Sequence, residues 1–177
     1  YTPAVNDNFA DVVTYGSRSG TNTFTNINPS FSSTLTPTYT TGAGALSLLV
    51  SSLSAINTWL FDGSDSWLNT ARWSQGHTPT ELENVVIPDY TTQFTVSIPS
   101  GAQVAKSIVV QGDDIFSVNG GSFTFTNAST ISNGSLNVAG GTLTANASLA
   151  AKTLNLSSGA INGSGAINVS NAVNWSG

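Results

Sequence analysis

From about Thr95 onward the chain repeats one small theme: a short apolar strand, a turn of small residues, and another short strand. The clearest rungs are Ser107-Ile108-Val109-Val110, Ser122-Phe123-Thr124-Phe125, Ser135-Leu136-Asn137-Val138, Thr153-Leu154-Asn155-Leu156 and Ala166-Ile167-Asn168-Val169. Their apolar leads fall at 108, 123, 136, 154 and 167, with further anchors between them at Ile115, Ile131, Leu143, Leu149, Ile161 and Val173. Gly120-Gly121 and Gly140-Gly141 stand 20 apart, and Ser158-Gly159 follows about 18 later. A coil of roughly 18 to 20 residues holding two or three short strands is the pattern of a parallel β-solenoid. One coil is too thin to bury its own apolar residues, and stacking sets Ile on Leu along the axis to make a continuous core. A β-sandwich would need hairpin turns between longer strands. Only Asn119-Gly120, Asn133-Gly134 and Asn162-Gly163 offer them.

Composition agrees. Ser, Thr, Asn and Gly supply 84 of the 177 residues, and charged residues only 7%, against roughly 25% in an average soluble domain. Between Ile115 and Gly177 the one charged side chain is Lys152. A charge repeated in successive coils would meet its counterpart at about 4.8 Å, so small neutral residues suit a solenoid surface. Disorder is excluded, because 39% of residues are hydrophobic and they alternate as strands require, as in Phe94-Thr95-Val96-Ser97-Ile98. The cations Arg18, Arg72, Lys106 and Lys152 face nine acids, for a net charge of −5. That argues against nucleic acid, which calls for clustered Lys and Arg. The absence of cysteine removes disulfides and thiolate chemistry, and a single histidine removes multi-histidine metal sites. No apolar run reaches membrane-spanning length and no signal-peptide pattern stands at Tyr1, so the chain reads as mature or excised material from an extracellular protein.

The expected fold is all-β, in three regions. Residues 1–61 form a β-rich capping segment, with extended runs at Asn22-Thr23-Phe24-Thr25 and Pro37-Thr38-Tyr39-Thr40. Within it, Leu46, Leu49, Val50, Leu53, Ile56 and Leu60 have helical spacing over 45–61, while Leu46, Leu48 and Val50 fit one face of a strand. Both readings, one short helix or a strand, stand open. Residues 62–93 are a Trp-rich entry loop, and 94–177 are the parallel β-helix coils. In those coils Leu136, Leu154 and Ile167 are expected to stack inward, with Asn137, Asn155 and Asn168 facing the other way.

The stretch Trp73-Ser74-Gln75-Gly76-His77-Thr78-Pro79, then Val85-Val86-Ile87-Pro88 and Val104 to Val110, resembles an entry segment of large secreted bacterial surface proteins. These are of the autotransporter and filamentous-haemagglutinin type. Gly140-Gly141-Thr142-Leu143-Thr144 and Gly159-Ala160-Ile161-Asn162-Gly163-Ser164-Gly165 resemble their coils, as does the run from Asn168-Val169 to Asn174-Trp175-Ser176-Gly177. The resemblance covers roughly residues 66 to 177. It implies a right-handed parallel β-helix used as a stalk or adhesive shaft, and it implies no catalytic residues. Trp175-Ser176-Gly177 reads as the opening of another turn without a polar cap. That leads to the expectation of a continuing chain or of end-to-end self-association.

Candidate chemistry is sparse. Asp113-Asp114 places two carboxylates after a strand, as acid–base work on sugars would require, but few other ionisable groups lie downstream. A solvated turn is the competing reading. Asp62, Asp65 and Asp89 supply oxygen ligands suited to calcium, the one cofactor considered, although the full EF-hand pattern is missing. Local turn caps are the alternative. Trp59, Trp67 and Trp73 suit either a sugar-stacking platform for a glycan ligand or a plug in the core. His77 is expected to hydrogen-bond within the entry loop. Seven Asn-x-Ser sequons begin at Asn127, Asn133, Asn146, Asn155, Asn162, Asn168 and Asn174. The functional expectation is a non-enzymatic extracellular structural or adhesive module. A carbohydrate-binding or carbohydrate-processing domain and a self-assembling filament subunit are the alternatives.

Overall fold

A computed structural model describes residues 8–15, 33–39, 44–53 and 55–176, with side chains from Ile56 onward. The run Asn22-Thr23-Phe24-Thr25 and the end of the run at Thr40 lie outside the described residues. The chain divides into two units, Tyr1–Ala55 and Ile56–Gly177. In the first, β1 (Asn8–Tyr15), β2 (Ser33–Tyr39) and β3 (Gly44–Leu53) form an antiparallel sheet with β3 in the middle. The helix considered over 45–61 does not form. Pairing on both edges of β3, Leu48 opposite Phe9 and Pro37, satisfies its backbone. The serines in this stretch are indifferent helix formers, so tertiary pairing overrides the spacing of the leucines.

The second unit is a parallel β-helix of about five turns. Its first face carries β4 (Ala55–Thr58), β6 (Glu83–Ile87), β9 (Ser107–Val110) and the leading parts of the three long strands. These are β12 (Ser129–Ala145), β13 (Leu149–Asn162) and β14 (Ile167–Trp175). The second face carries β5 (Asp65–Ser66), β7 (Thr95–Ile98), β10 (Ile115–Val118) and the following parts of β12, β13 and β14. The third carries β8 (Ala102–Ala105), β11 (Ser122–Phe125) and the ends of β12 and β13.

Parallel register puts like on like. On the second face Val96, Phe116, Leu136, Leu154 and Val173 form one inward column, and Ile98, Val118, Val138, Leu156 and Trp175 another. Between them runs an outward polar row, Ser97, Ser117, Asn137, Asn155 and Asn174. The asparagines bond along the axis: Asn155 Nδ2 donates to Asn137 Oδ1 at 2.6 Å, and Asn174 Nδ2 to Asn155 Oδ1 at 2.7 Å. Leu136 and Leu154 therefore stack as expected, but Ile167 does not follow them. It pairs with Leu149 on the first face, and Asn168 pairs with Ala150. Each coil holds three look-alike rungs, so apolar leads read in sequence order mix faces that register keeps apart.

Glycines mark one corner between the second and third faces. A Cβ on Gly141 would strike the carbonyl oxygen of Gly121, one on Gly159 that of Gly141, and one on Gly121 that of Gly101. The spaced glycines of the sequence are thus a column of close backbone approaches. On the first face Ser129 enters the apolar interior, where its hydroxyl accepts from the Ile108 N–H and donates to the Asn127 carbonyl, each at 3.0 Å. Burial fades toward the last coil: Leu154 is buried, whereas Val173 is 60% and Trp175 76% exposed. Among the described residues no helix is long and apolar enough to cross a membrane.

Position within a column should therefore set the cost of substitution. Phe116→Ala should lose about 3–5 kcal/mol, while Val173→Ala in the same column should change stability by less than about 0.5 kcal/mol. Leu154→Asp should cost several kcal/mol by burying a charge. Asn155→Asp should cost about 1 kcal/mol, because a carboxylate cannot donate to Asn137. Denaturant unfolding of the four variants checks the order, and equal losses would contradict this register.

Candidate functional site

The entry segment is the most heavily cross-linked part of the second unit. After β5 the chain makes a 3₁₀ turn, Thr70–Arg72, started by Asn69, whose side chain accepts from the Ala71 N–H. The turn brings Arg72 back over Asp65. Arg72 Nε donates to Asp65 Oδ2 at 2.7 Å, Asn69 Nδ2 donates to the same oxygen at 2.9 Å, and the Ser66 N–H donates to Oδ1 at 2.7 Å. The guanidinium lies over the Phe61 ring, 3.8 Å from its centroid. These bonds, Arg72 first among them, hold the Asp65 carboxyl below its ordinary range. Asp65 is thus committed to a local clasp. Asp62 instead accepts from Thr91 Oγ1 at 2.9 Å. Asp62 and Asp65 are therefore held by separate partners, and among the described residues no group of three or more acidic or histidine side chains is placed to hold a metal ion.

The tryptophans meet each other, and they do so inside. Trp59, Trp67 and Trp73 are all buried. Trp73 contacts Trp59 and Trp67 edge to face at centroid separations of 5.0 and 4.7 Å, and Trp67 continues onto Phe123 and Phe116 at 5.1 and 5.8 Å. Such pairs contribute about 0.5–1.5 kcal/mol each beyond their burial. No ring face remains for a sugar, so the stacking platform is corrected to a core plug. The physical reason lies in the turn, which places Trp73 Nε1 at 2.8 Å from the Trp67 carbonyl and folds the indole inward. Tyr90 closes the cluster, its hydroxyl donating to the Trp59 carbonyl at 2.9 Å.

Two buried polar residues that the sequence did not single out hold the loop beyond. Asn57 donates through Nδ2 to the His77 carbonyl and accepts at Oδ1 from Ser74 Oγ and the Gln75 N–H. Glu83 accepts the Thr80 N–H at 2.7 Å and lies 3.6 Å from His77 Nε2. His77 is thus engaged within the entry loop, as its lack of partner histidines implied. Nothing in the sequence marks Asn57 or Glu83 apart from other polar residues near strands; only the loop folding over them does.

Asp113 and Asp114 separate on folding. Asp113 is exposed, and Asp114 is buried with Oδ1 accepting the Phe94 N–H at 3.1 Å. Burial pushes the Asp114 carboxyl above its ordinary range. They form no matched acid–base pair across a groove. On the outer surface a depression of about 270 Å³ is lined by small neutral groups from three coils, including Thr130, Ala150, Asn168 and Ser170. Of the sequon residues, Asn155 and Asn174 have their amides engaged in the ladder.

The clasp carries a pH signature. Because the folded Asp65 carboxyl lies below its unfolded value of 3.8, its contribution is present above that pH and is lost as pH falls through the lower folded value. Arg72→Gln should thus destabilise the protein at pH 6 and bring wild type and variant closer together below about pH 3, measured by thermal melts across that range. A gap that widens with acid would refute the assignment. No protein-family model, curated protein or solved structure matches this chain.

Proposed function

We propose that this chain is a non-catalytic structural or adhesive module of an extracellular surface protein, serving as a rod. One observation carries the reading: inward positions of the coils form apolar columns that run from coil to coil on each face, so the fold's interior is given over to holding a shaft straight. The outward row of the second face is short, neutral and polar, and its asparagine ladder ties coil to coil along the axis. The likeness of the entry segment and coils to secreted bacterial stalk proteins supports the same reading, including the extracellular setting. Lateral adhesion would use broad flat faces rather than a pocket.

The test is chemical. Incubation with a panel of acidic and neutral polysaccharides should release no new reducing or unsaturated ends, and Asp113→Asn should behave as wild type. Cleavage that disappears in Asp113→Asn or Asp114→Asn would overturn the proposal.

A further inference from the structure

After β9 the chain turns at Gly112-Asp113-Asp114 to begin the next rung, and after β6, one coil earlier, it turns at Asp89. Ile87 pairs with Val110, so the two corners lie on adjacent coils. Asp114 is only 2% exposed, and its Oδ2 is buried with no hydrogen-bond partner. That oxygen lies 2.8 Å from the point where a Cβ on Gly112 would sit, and Asp89 Oδ1 lies 2.5 Å from the same point. Two carboxylate oxygens from successive coils therefore converge on the bare flank of one glycine. The charged groups acting on Asp114 are Asp113, Asp89 and Asp62, all of them acids. A buried, unpartnered carboxylate oxygen among three further carboxylates is an uncompensated arrangement.

We infer that this corner binds a divalent cation, calcium by its chemistry, with Asp114 Oδ2 and Asp89 Oδ1 as the protein's ligands and water completing the shell. Calcium tolerates an irregular oxygen shell, whereas magnesium demands a near-ideal octahedron that two oxygens fixed by separate backbone corners are poorly placed to start. Asp62 and Asp113 lie close enough to add attraction without being required as ligands. With two protein oxygens, affinity should fall in the range of about 0.1–1 mM typical of extracellular modules. Gly112 leaves room for both carboxylates, since a Cβ there would lie 2.5 Å from Asp89 Oδ1 and 2.8 Å from Asp114 Oδ2. Binding would pin one coil corner to the next. This differs from a site built on Asp65, whose oxygens Arg72, Asn69 and Ser66 already engage.

The experiment uses the whole chain at pH 7 after chelator treatment. Calcium chloride at about 10 mM should raise the melting temperature by a few degrees, and sodium chloride of equal ionic strength should not. Terbium, a luminescent stand-in for calcium, should emit when Tyr90, next to Asp89, is excited, and calcium should displace it. Asp89→Asn and Asp114→Asn should each abolish both signals, while Asp65→Asn should retain them. Asp89 is exposed, so its variant keeps the test decisive should Asp114→Asn fold poorly. No calcium response in wild type overturns the inference. So does a response that survives in Asp89→Asn.

Discussion

Backbone pairing between parallel rungs, one strand spacing of about 4.8 Å apart, is the constraint on which the second unit depends. Parallel neighbours cannot be joined by a two-residue hairpin, so the chain must travel a full circuit before it returns. Each residue then sits over its counterpart from the preceding coil, and the side chain must tolerate a copy of itself above and below. Apolar columns follow from this, and so do the bonded asparagine row and the glycine corner in which each backbone rests on the carbonyl before it. The scarcity of charge is the same rule stated negatively: from Ile115 to Gly177 only Lys152 is charged.

The columns are not uniform along the axis. Aromatic bulk gathers around the earlier coils, where Trp59, Trp67 and Trp73 join Phe116, Phe123 and Phe125, and smaller residues such as Ala145 and Ala151 follow in later ones. Edge-to-face contacts let six rings share one interior without leaving a solvent-facing platform. The polar intruders there are handled unequally. Ser129, Asn57 and Glu83 find backbone partners, whereas the indole nitrogens of Trp59 and Trp67 and one oxygen of Asp114 find none.

Two aspartates, Asp65 in β5 and Asp114 at a coil corner, show how far local surroundings decide the behaviour of one residue type. Asp65 faces an arginine brought round by a single turn of 3₁₀ helix, and its carboxyl is held in the charged form. Asp114 is buried beside other acids, and its carboxyl is pushed the opposite way. Both follow Coulomb's law with desolvation. The difference lies in which side chains reach each carboxyl, a local turn bringing Arg72 to Asp65 and the circuit of the coil bringing Asp89 to Asp114.

Alternation of apolar and small polar residues, glycines some 20 apart and the near absence of charge were enough to specify coils, because these patterns express requirements that every coil repeats. Leu136 over Leu154 was legible for that reason. Which rung shares a face with which was not: Ile167 matches the motif of Leu154 yet lies on another face, since the step between coils varies from 18 to 31 residues and only hydrogen-bonded register counts it. The stretch over Gly44–Leu53 satisfies both helical and strand spacing, and pairing with β1 and β2 on its two edges decided it. Composition marked the tryptophans and acids as the chemically notable residues. The tertiary fold alone turned the indoles inward, gave Asp65 to Arg72, and set Asp114 against Asp89, because burial and pairing depend on where a closed circuit brings the chain back.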